Sequence, residues 1–491
     1  MTQSRLTPAE TSAEQERTEP PPAADGQGAG RGGGRHWLDR YFHITERGSS
    51  FGREIRGGIT TFVAMAYILL LNPLLLSVPD VDGHTLSPGA VITATAIAAG
   101  LTTLLMGIIG KVPLALAAGL SVSGVLATQV VPHMTWPQAM GMCVIYGVLI
   151  MLLVVTGLRE KIMNAIPLPL KHAITMGIGL FIAMIGLVNA GFVGLGHAGA
   201  PVTLGAGGHL AGWPVLAFCI TLLAIFMLMA RNVPGAILLG IVIGTVFSLV
   251  ATRIWNIPDE QWGLAVPQLP ETLLASPDFS LFGDVSFGGY TALGGLTVGM
   301  IVFTLVLAGF FDAMATIIAV GQEARLADAQ GRMSGLNRAL LVDGAGGAIG
   351  GAAGASGQTV FIESASGVGE GARTGLSAVV TGLLFSAALL LTPLAMIVPG
   401  QVASAALVVI GAMMLQSARH VDWTDRAIAI PVFLTVVLMP FTYSIVTGVG
   451  AGVIAYTVIR LAQGRWRDPG LFMWLLTAVF VFHFAFNDIQ H

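Results

Sequence analysis

Apolar residues in this chain come in blocks of about 17 to 25, the length a helix needs to cross the hydrocarbon core of a bilayer. Such blocks lie near 58–78, 89–110, 113–131, 137–157, 172–190, 213–230 and 234–252. After a polar stretch over roughly 253–290 they resume near 294–320, 337–353, 355–370, 374–398, 402–418, 425–441 and 443–462. The pattern predicts fourteen spans in two sets of seven. A last apolar stretch, 471–487, is either a fifteenth span or a helix lying at the interface.

Lysine and arginine test that count. With the N-terminus in the cytoplasm, every Lys and Arg except Arg253 falls in the tail or in a connection on the cytoplasmic side. Retention of these residues on that side sets orientation, so they support both the number of spans and a cytoplasmic N-terminus in the cell (inner) membrane. The opening residues, rich in Pro, Gly, Ala and charge, read as a disordered tail over 1–47; a signal peptide would need a continuous apolar core. The first seven-span repeat then covers 48–252, an extracytoplasmic loop 253–293, the second repeat 294–463 and the C-terminal apolar segment 464–491.

Composition agrees with the pattern. Of 491 residues, 54% are hydrophobic and 10% charged, where a soluble domain carries about 25% charged residues. The 64 glycines suit membrane helices, in which close backbone approach replaces a hydrophobic driving force. A net charge of −3 gives no reason to expect a nucleic-acid partner. Cys143 and Cys219 both sit inside apolar blocks and read as small buried hydrophobes.

Two short matches link the halves. Ser121-Val-Ser-Gly-Val125 in the third span recurs as Ser364-Ala-Ser-Gly-Val368 in the tenth, and Pro167 with Ala173 through Gly179 recurs as Pro399 with Ala405 through Gly411. Each pair lies seven spans apart. Seven is odd, so the repeats must run in opposite directions across the membrane, an arrangement that places a ligand site near the midplane between interrupted helices. Residues 117–124 and 354–367, rich in Gly, Ser and Thr, are poorly patterned for a regular helix and are the expected interruptions; the alternative is a small-residue packing face.

Three acids stand within or beside apolar spans: Asp312, Asp343 and Glu363. A carboxylate at a membrane-helix centre costs about 2.5–3.5 kcal/mol even on insertion scales, so it is rarely idle. Asp312 lies deepest and Glu363 sits beside the interruption in span ten; each is a candidate for binding a ligand and for carrying a proton, against the plainer role of a structural acid. Asp343 is balanced between the two. Ser121, Ser123, Ser364 and Thr316 are candidate hydroxyl contacts, with Gln358 and Thr359 near them, although any one of these more often packs helices. Phe310, Phe311 and Phe361 offer apolar lining, Asn72-Pro73 a kink in the first span, and Arg373 an anchor for a cytoplasmic helix end. No group of His, Cys and acids with metal spacing occurs in the spans, so neither a metal, a cofactor nor an enzyme is expected.

At these residues the chain resembles the nucleobase/ascorbate (NCS2) transporters, in particular the AzgA-like branch of adenine/guanine/hypoxanthine permeases. The matching stretches run from Gly57-Gly58 to Tyr67 and Asn72-Pro73, from Gly157 through Glu160 to Asn164 and Pro167, and from Gly177 through Asn189 to Gly191. They continue at Phe311-Asp312, Leu336 through Leu341 with Asp343, and Glu363 through Arg373 to Leu376, so the resemblance covers about residues 48–487. It implies an all-α polytopic membrane protein of fourteen transmembrane segments in a 7+7 inverted repeat, with a short strand in each of segments 3 and 10. It further implies a core domain (58–157 and 294–398) and a gate domain (172–252 and 402–462). Purine nucleobase transport by proton symport, with sodium as the alternative ion, is the implied function, in a homodimer within the lipid bilayer. The acids of spans eight and ten that bind the base in that family correspond to Asp312 and Glu363.

Two positions depart from the family pattern. Where purine permeases carry Gly-Leu-Asn-Ala in span three, this chain has Ser121-Val122-Ser123-Gly124, and a hydroxyl cannot present an amide's paired donor and acceptor. Ala315 replaces a glycine after the span-eight acid. The competing readings are a xanthine or uracil permease and an anion transporter of the same architecture, whose site a buried Glu363 would oppose; a sensor or scaffold is a further class.

Overall fold

The structure, a computed structural model, describes residues 37–158, 166–196, 202–205, 208–258, 261–262, 272, 274–290, 294–326 and 335–490. Parts of the matched stretches at Arg159 through Asn164, and much of the 253–293 loop, lie outside those residues. In the first repeat, α1 (Trp37–Phe42) precedes span one, formed by α2 (Phe51–Met65) and α3 (Ile68–Leu75). Then come α4 (Pro88–Leu105), β1 (Leu116–Ala118), α5 (Leu120–Val125), α6 (Trp136–Val155), α7 (Leu168–Asn189), the β2–β3 hairpin (Val193–Leu195, Val202–Leu204), α8 (Trp213–Ala230) and α9 (Ala236–Trp255). The second repeat holds α10 (Gly295–Glu323), α11 (Leu336–Ala353), β4 (Gln358–Val360), α12 (Ser364–Gly369), α13 (Gly375–Ala388) and α14 (Thr392–Met396). It closes with α15 (Gly400–Met414), α16 (Arg426–Phe441), α17 (Ile445–Ala462) and a final helix, α18 (Gly470–Gln490). Among the described residues nine helices are long and apolar enough to cross a membrane, and four shorter apolar helices join them. Each expected span coincides with one of these helices, with a strand and the short helix after it, or, for 337–353, with the glycine-rich α11.

The interrupted spans are where the sequence placed them. β1 pairs antiparallel with β4, Leu116 opposite Val360 and Ala118 opposite Gln358, so the expected strands in segments 3 and 10 are present. Antiparallel pairing is what an axis lying in the membrane plane requires of two equivalent strands. The second repeat match obeys the same symmetry: Pro167 caps the start of α7 and Pro399 that of α15. These two helices then cross at equivalent glycines. A Cβ on Gly411 would lie 2.4 Å from the Gly179 carbonyl oxygen, and one on Gly179 would lie 3.0 Å from that of Gly411. Only hydrogen side chains permit backbones this close, and in lipid such contact supplies the cohesion.

The helices pack in two sets. In one, α11 lies against α6, α13 against α4 and α2, α12 against α2, and α10 against α6; in the other, α15 lies against α7 and α8, α16 against α17 and α7, and α8 against α9. Ahead of span one the structure corrects the extent of the disordered tail. Residues 37–47, assigned to it by composition, form α1 and an ordered turn because Phe42 and Ile44 bury against Leu376 and Asp39 accepts bonds from the Thr45 backbone and hydroxyl at 2.8 and 2.9 Å. The β2–β3 hairpin was not anticipated; each strand has only three residues, too short for an alternation to stand out. The final helix packs antiparallel on α17, with Thr457 and Thr477 hydroxyls 2.8 Å apart.

The glycine crossing yields a direct test. Gly411→Ala should destabilise the protein by roughly 1–3 kcal/mol, the usual cost of overpacking, measured as thermal unfolding in detergent. Gly52→Ala, where a Cβ meets nothing within 4 Å, should leave the transition unchanged or slightly raised.

Candidate functional site

The site is built from what the strand pair leaves at its ends. Phe361 follows β4 and its backbone N–H still bonds the Ala115 carbonyl at 3.0 Å. The chain then turns, and Glu363 stands at the N-cap position of α12. Its side chain is half-buried. The Tyr67 hydroxyl donates to Glu363 Oε1 at 2.5 Å, and Tyr67 itself is fully buried.

Tyr67 reaches that carboxylate because span one is broken beside it. Between α2 and α3 the backbone tightens, Leu69 N–H bonding the Ala66 carbonyl at 3.1 Å and Leu70 N–H that of Tyr67 at 3.0 Å. Such i to i+3 bonds mark a local 3₁₀ turn. Further on, Pro73 lies inside α3, where it removes one more helical bond. Asn72, read from sequence only as part of a kink, is the centre of a buried network. Its Nδ2 donates to Thr95 Oγ1 at 2.8 Å and to the Ala355 carbonyl at 3.0 Å, while its Oδ1 accepts from Ser123 at 2.8 Å. Ser123 and Ser356 hydroxyls lie 2.7 Å apart, and Ser356 holds a left-handed backbone at φ 63°.

The candidate hydroxyls therefore differ in what occupies them. Ser364 Oγ accepts from the Ala115 N–H at 3.0 Å and donates to the Phe361 carbonyl at 2.7 Å, fastening α12 to the first residue before β1. Ser123 is held in the Asn72 network. Ser121 is buried in the first turn of α5, and Thr316 is buried on α10. The backbone of α10, which carries Asp312, packs against α5, α12 and β4 and so borders both short helices; the side chains of Phe310, Phe311 and Asp312 lie outside the described residues. Asp343 is buried in α11, where Thr359 of β4 donates to its Oδ1 at 3.3 Å. Gln358 turns toward Gly346 and Gly350 of α11. Among the described residues its Oε1 has no hydrogen-bond partner, and neither does Gln129 Nε2.

Arg373 does more than anchor a helix end. Its guanidinium donates to the Val368 and Ala372 carbonyls at 2.7 and 2.8 Å, capping the C-terminus of α12. Its backbone N–H, with those of Thr374 and Ser377, donates to Glu54 at 2.8 to 3.3 Å, so a fully buried carboxylate on α2 caps the N-terminus of α13. Arg47 Nη1 bridges the Lys111 and Arg373 carbonyls at 2.7 and 3.3 Å. Burial pulls the Arg47 guanidinium below its ordinary pKa, with the Glu54 charge the first of the influences opposing that.

Sequence reasoning missed Tyr67 and Glu54. A phenol in the middle of an apolar span was a readable signal, since buried tyrosine hydroxyls seek a partner. Glu54 stands just before the first apolar block, where an acid looks like an ordinary solvated residue.

Chemically, the pair of Glu363 and Tyr67 offers a proton acceptor when ionised and a hydrogen-bond donor when protonated, the set that complements a flat heterocycle with ring N–H and ring N groups. Among the described residues no group of three or more His, Cys, Asp or Glu is placed to hold a metal.

Comparison with known proteins agrees with this architecture. The Xan_ur_permease family model, described as a permease family, matches residues 52–450. The chain is 35% identical to the adenine permease AdeP of Escherichia coli K12 over 93% of its own length and 97% of that protein. It is 35% identical to the guanine/hypoxanthine permease PbuG of Bacillus subtilis over 91% of its length and all of that protein, 100%. Among solved structures, the transmembrane domain of the cyanobacterial bicarbonate transporter BicA superposes with a TM-score of 0.58 at 16% identity, covering 82% of this chain and 97% of that one, a likeness of fold alone. A matched family model over most of the chain, relatives aligned nearly end to end and the 7+7 transporter fold leave one assignment: the protein is a multi-pass membrane permease, not an enzyme, and belongs to the nucleobase/ascorbate (NCS2) family.

Proposed function

We propose that this permease imports purine nucleobases, namely adenine, guanine or hypoxanthine, by proton symport. The observation that carries the reading is the Tyr67–Glu363 hydrogen bond at the junction of β4 and α12, together with relatives named as adenine and guanine/hypoxanthine permeases. Glu363 and Asp312 bind the base and carry the proton. Ser121 and Thr316 line the site from α5 and α10, while Ser123 and Ser364 act through the backbone they fasten. Burial away from water favours the neutral form of a carboxyl group, so a proton and a neutral base can enter and leave together.

The two packing sets support a division into a core domain, 58–157 and 294–398, and a gate domain, 172–252 and 402–462, that move against each other. The positive charges support a cytoplasmic N-terminus in the cell membrane, and a homodimer in the bilayer completes the proposal. Xanthine or uracil is the second substrate reading. An anion is disfavoured by the carboxylate beside the strand junction.

In a host stripped of its own purine permeases, the protein should take up radiolabelled adenine, guanine or hypoxanthine, and a protonophore should abolish accumulation. Uptake of sulfate or bicarbonate in place of any nucleobase would overturn the reading. Glu363→Gln should eliminate uptake while the protein still reaches the membrane. Tyr67→Phe removes one hydrogen bond to a charged group, worth about 1.5–3 kcal/mol, and should weaken apparent affinity at least about tenfold. Orientation is checked by labelling: a cysteine at Ser276 should react with an impermeant maleimide in whole cells, and one at Ser12 only after permeabilisation.

A further inference from the structure

Span one is tied at two separate places, once to span ten and once to the connection from span ten into α13. Near its middle, Tyr67 bonds Glu363. Thirteen residues earlier, roughly 20 Å along a helix at 1.5 Å per residue, Glu54 takes the backbone N–H groups of Arg373, Thr374 and Ser377. Between those points the backbones touch: a Cβ on Gly57 would lie 2.7 Å from the Gly367 carbonyl oxygen, and one on Gly367 would lie 2.4 Å from that of Gly57.

α12, whose N-cap is Glu363, has only six residues. A helix so short has almost no axial stiffness of its own, so its orientation follows from what grips its two ends. Ser364 grips the first end. At the other, the Arg373 guanidinium holds the Val368 carbonyl in the last turn of α12 and the Ala372 carbonyl just beyond it, and the Arg373 backbone is held in turn by Glu54 and Arg47.

We propose that Glu54 and Arg47 are positioning residues for the transport site: from the cytoplasmic end they set the placement of α12 and hence of the Glu363 carboxylate. This rests on Glu363 serving the function proposed above. Neither residue touches substrate. Their loss should therefore change how well the site is formed for the base, rather than whether the carrier can cycle.

The test uses the full-length protein in proteoliposomes with radiolabelled adenine, guanine and hypoxanthine, comparing Glu54→Gln, Arg47→Ala, Arg47→Lys and the control Asp39→Asn. The amide of Glu54→Gln turns N–H groups toward the N–H groups the carboxylate accepts. It should raise KM about tenfold with Vmax changed less than about twofold, and Arg47→Ala should do the same with Arg47→Lys recovering part of the loss. Asp39→Asn weakens the turn at Thr45, where the Asp39 carboxylate accepts from the Thr45 backbone and hydroxyl, and should lower the melting temperature while leaving KM alone. An unchanged KM in a folded Glu54→Gln protein, or a KM that rises equally in Asp39→Asn, overturns the inference. If Glu54→Gln does not fold, Arg47→Ala decides by the same criterion, and failure of both to fold also overturns it, since a positioning role must be separable from folding. Absence of purine uptake by the unaltered protein would instead strike the proposed function.

Discussion

Backbone polar groups at membrane depth must find partners inside the protein, because hydrocarbon offers none. The centre of this permease is organised by that constraint. Spans three and ten give up helical bonding over the stretches that become β1 and β4, and the exposed N–H and C=O groups are satisfied by each other across the antiparallel pair. What the strands cannot reach is taken up by side chains: Thr103 both donates to and accepts from Leu116, at 2.9 Å each way, Ser364 serves Ala115, and Asn72 serves Ala355. Two short helices can then start from the middle of the membrane, with Glu363 at the head of one of them.

Small residues are the second consequence. A strand pair at the midplane needs neighbours that approach closely without bulk, and glycine supplies the approach at the symmetric crossings. Gly107 and Gly375 face each other, a Cβ on either falling 2.1 to 2.5 Å from the other's carbonyl oxygen, and Gly147 of α6 sits directly against Gly344, Gly347 and Ala348 of α11. The same small-residue richness hides the site from pattern reading, since Gly-Ala-Ser runs serve close packing and interruption alike.

The spans and the inverted repeat were legible because apolar blocks and the matches at Ser121/Ser364 and Pro167/Pro399 are local signals. The strands were legible through family resemblance, and as interruptions through the Gly, Ser and Thr content of 117–124 and 354–367. What the sequence could not convey was which polar groups meet. Tyr67 and Glu363 are 296 positions apart, and Glu54 and Arg373 are 319 apart; no periodicity connects them. Ordered residues before the first span were likewise hidden, because Phe42 and Ile44 acquire a partner only when Leu376 is brought beneath them, and Arg47 only when Lys111 and Arg373 are.

The serine at 123 can be weighed against this background. The family resemblance implies an asparagine at that place, and its replacement by serine reads in the sequence as a loss for base recognition. The structure gives the serine a different task. Ser123 accepts and donates within a closed set formed by Asn72, Ser356 and Thr95, and that set fixes the left-handed turn from which β4 departs. An amide at position 123 would have to displace the Ser356 hydroxyl or the Asn72 side chain to fit the same buried volume. Asn72 of span one supplies an amide in the region and ties Ser123 of α5 to the Ala355 carbonyl ahead of β4. Span one thus supplies both the Asn72 amide at the centre of this network and the Tyr67 phenol that donates to the Glu363 carboxylate.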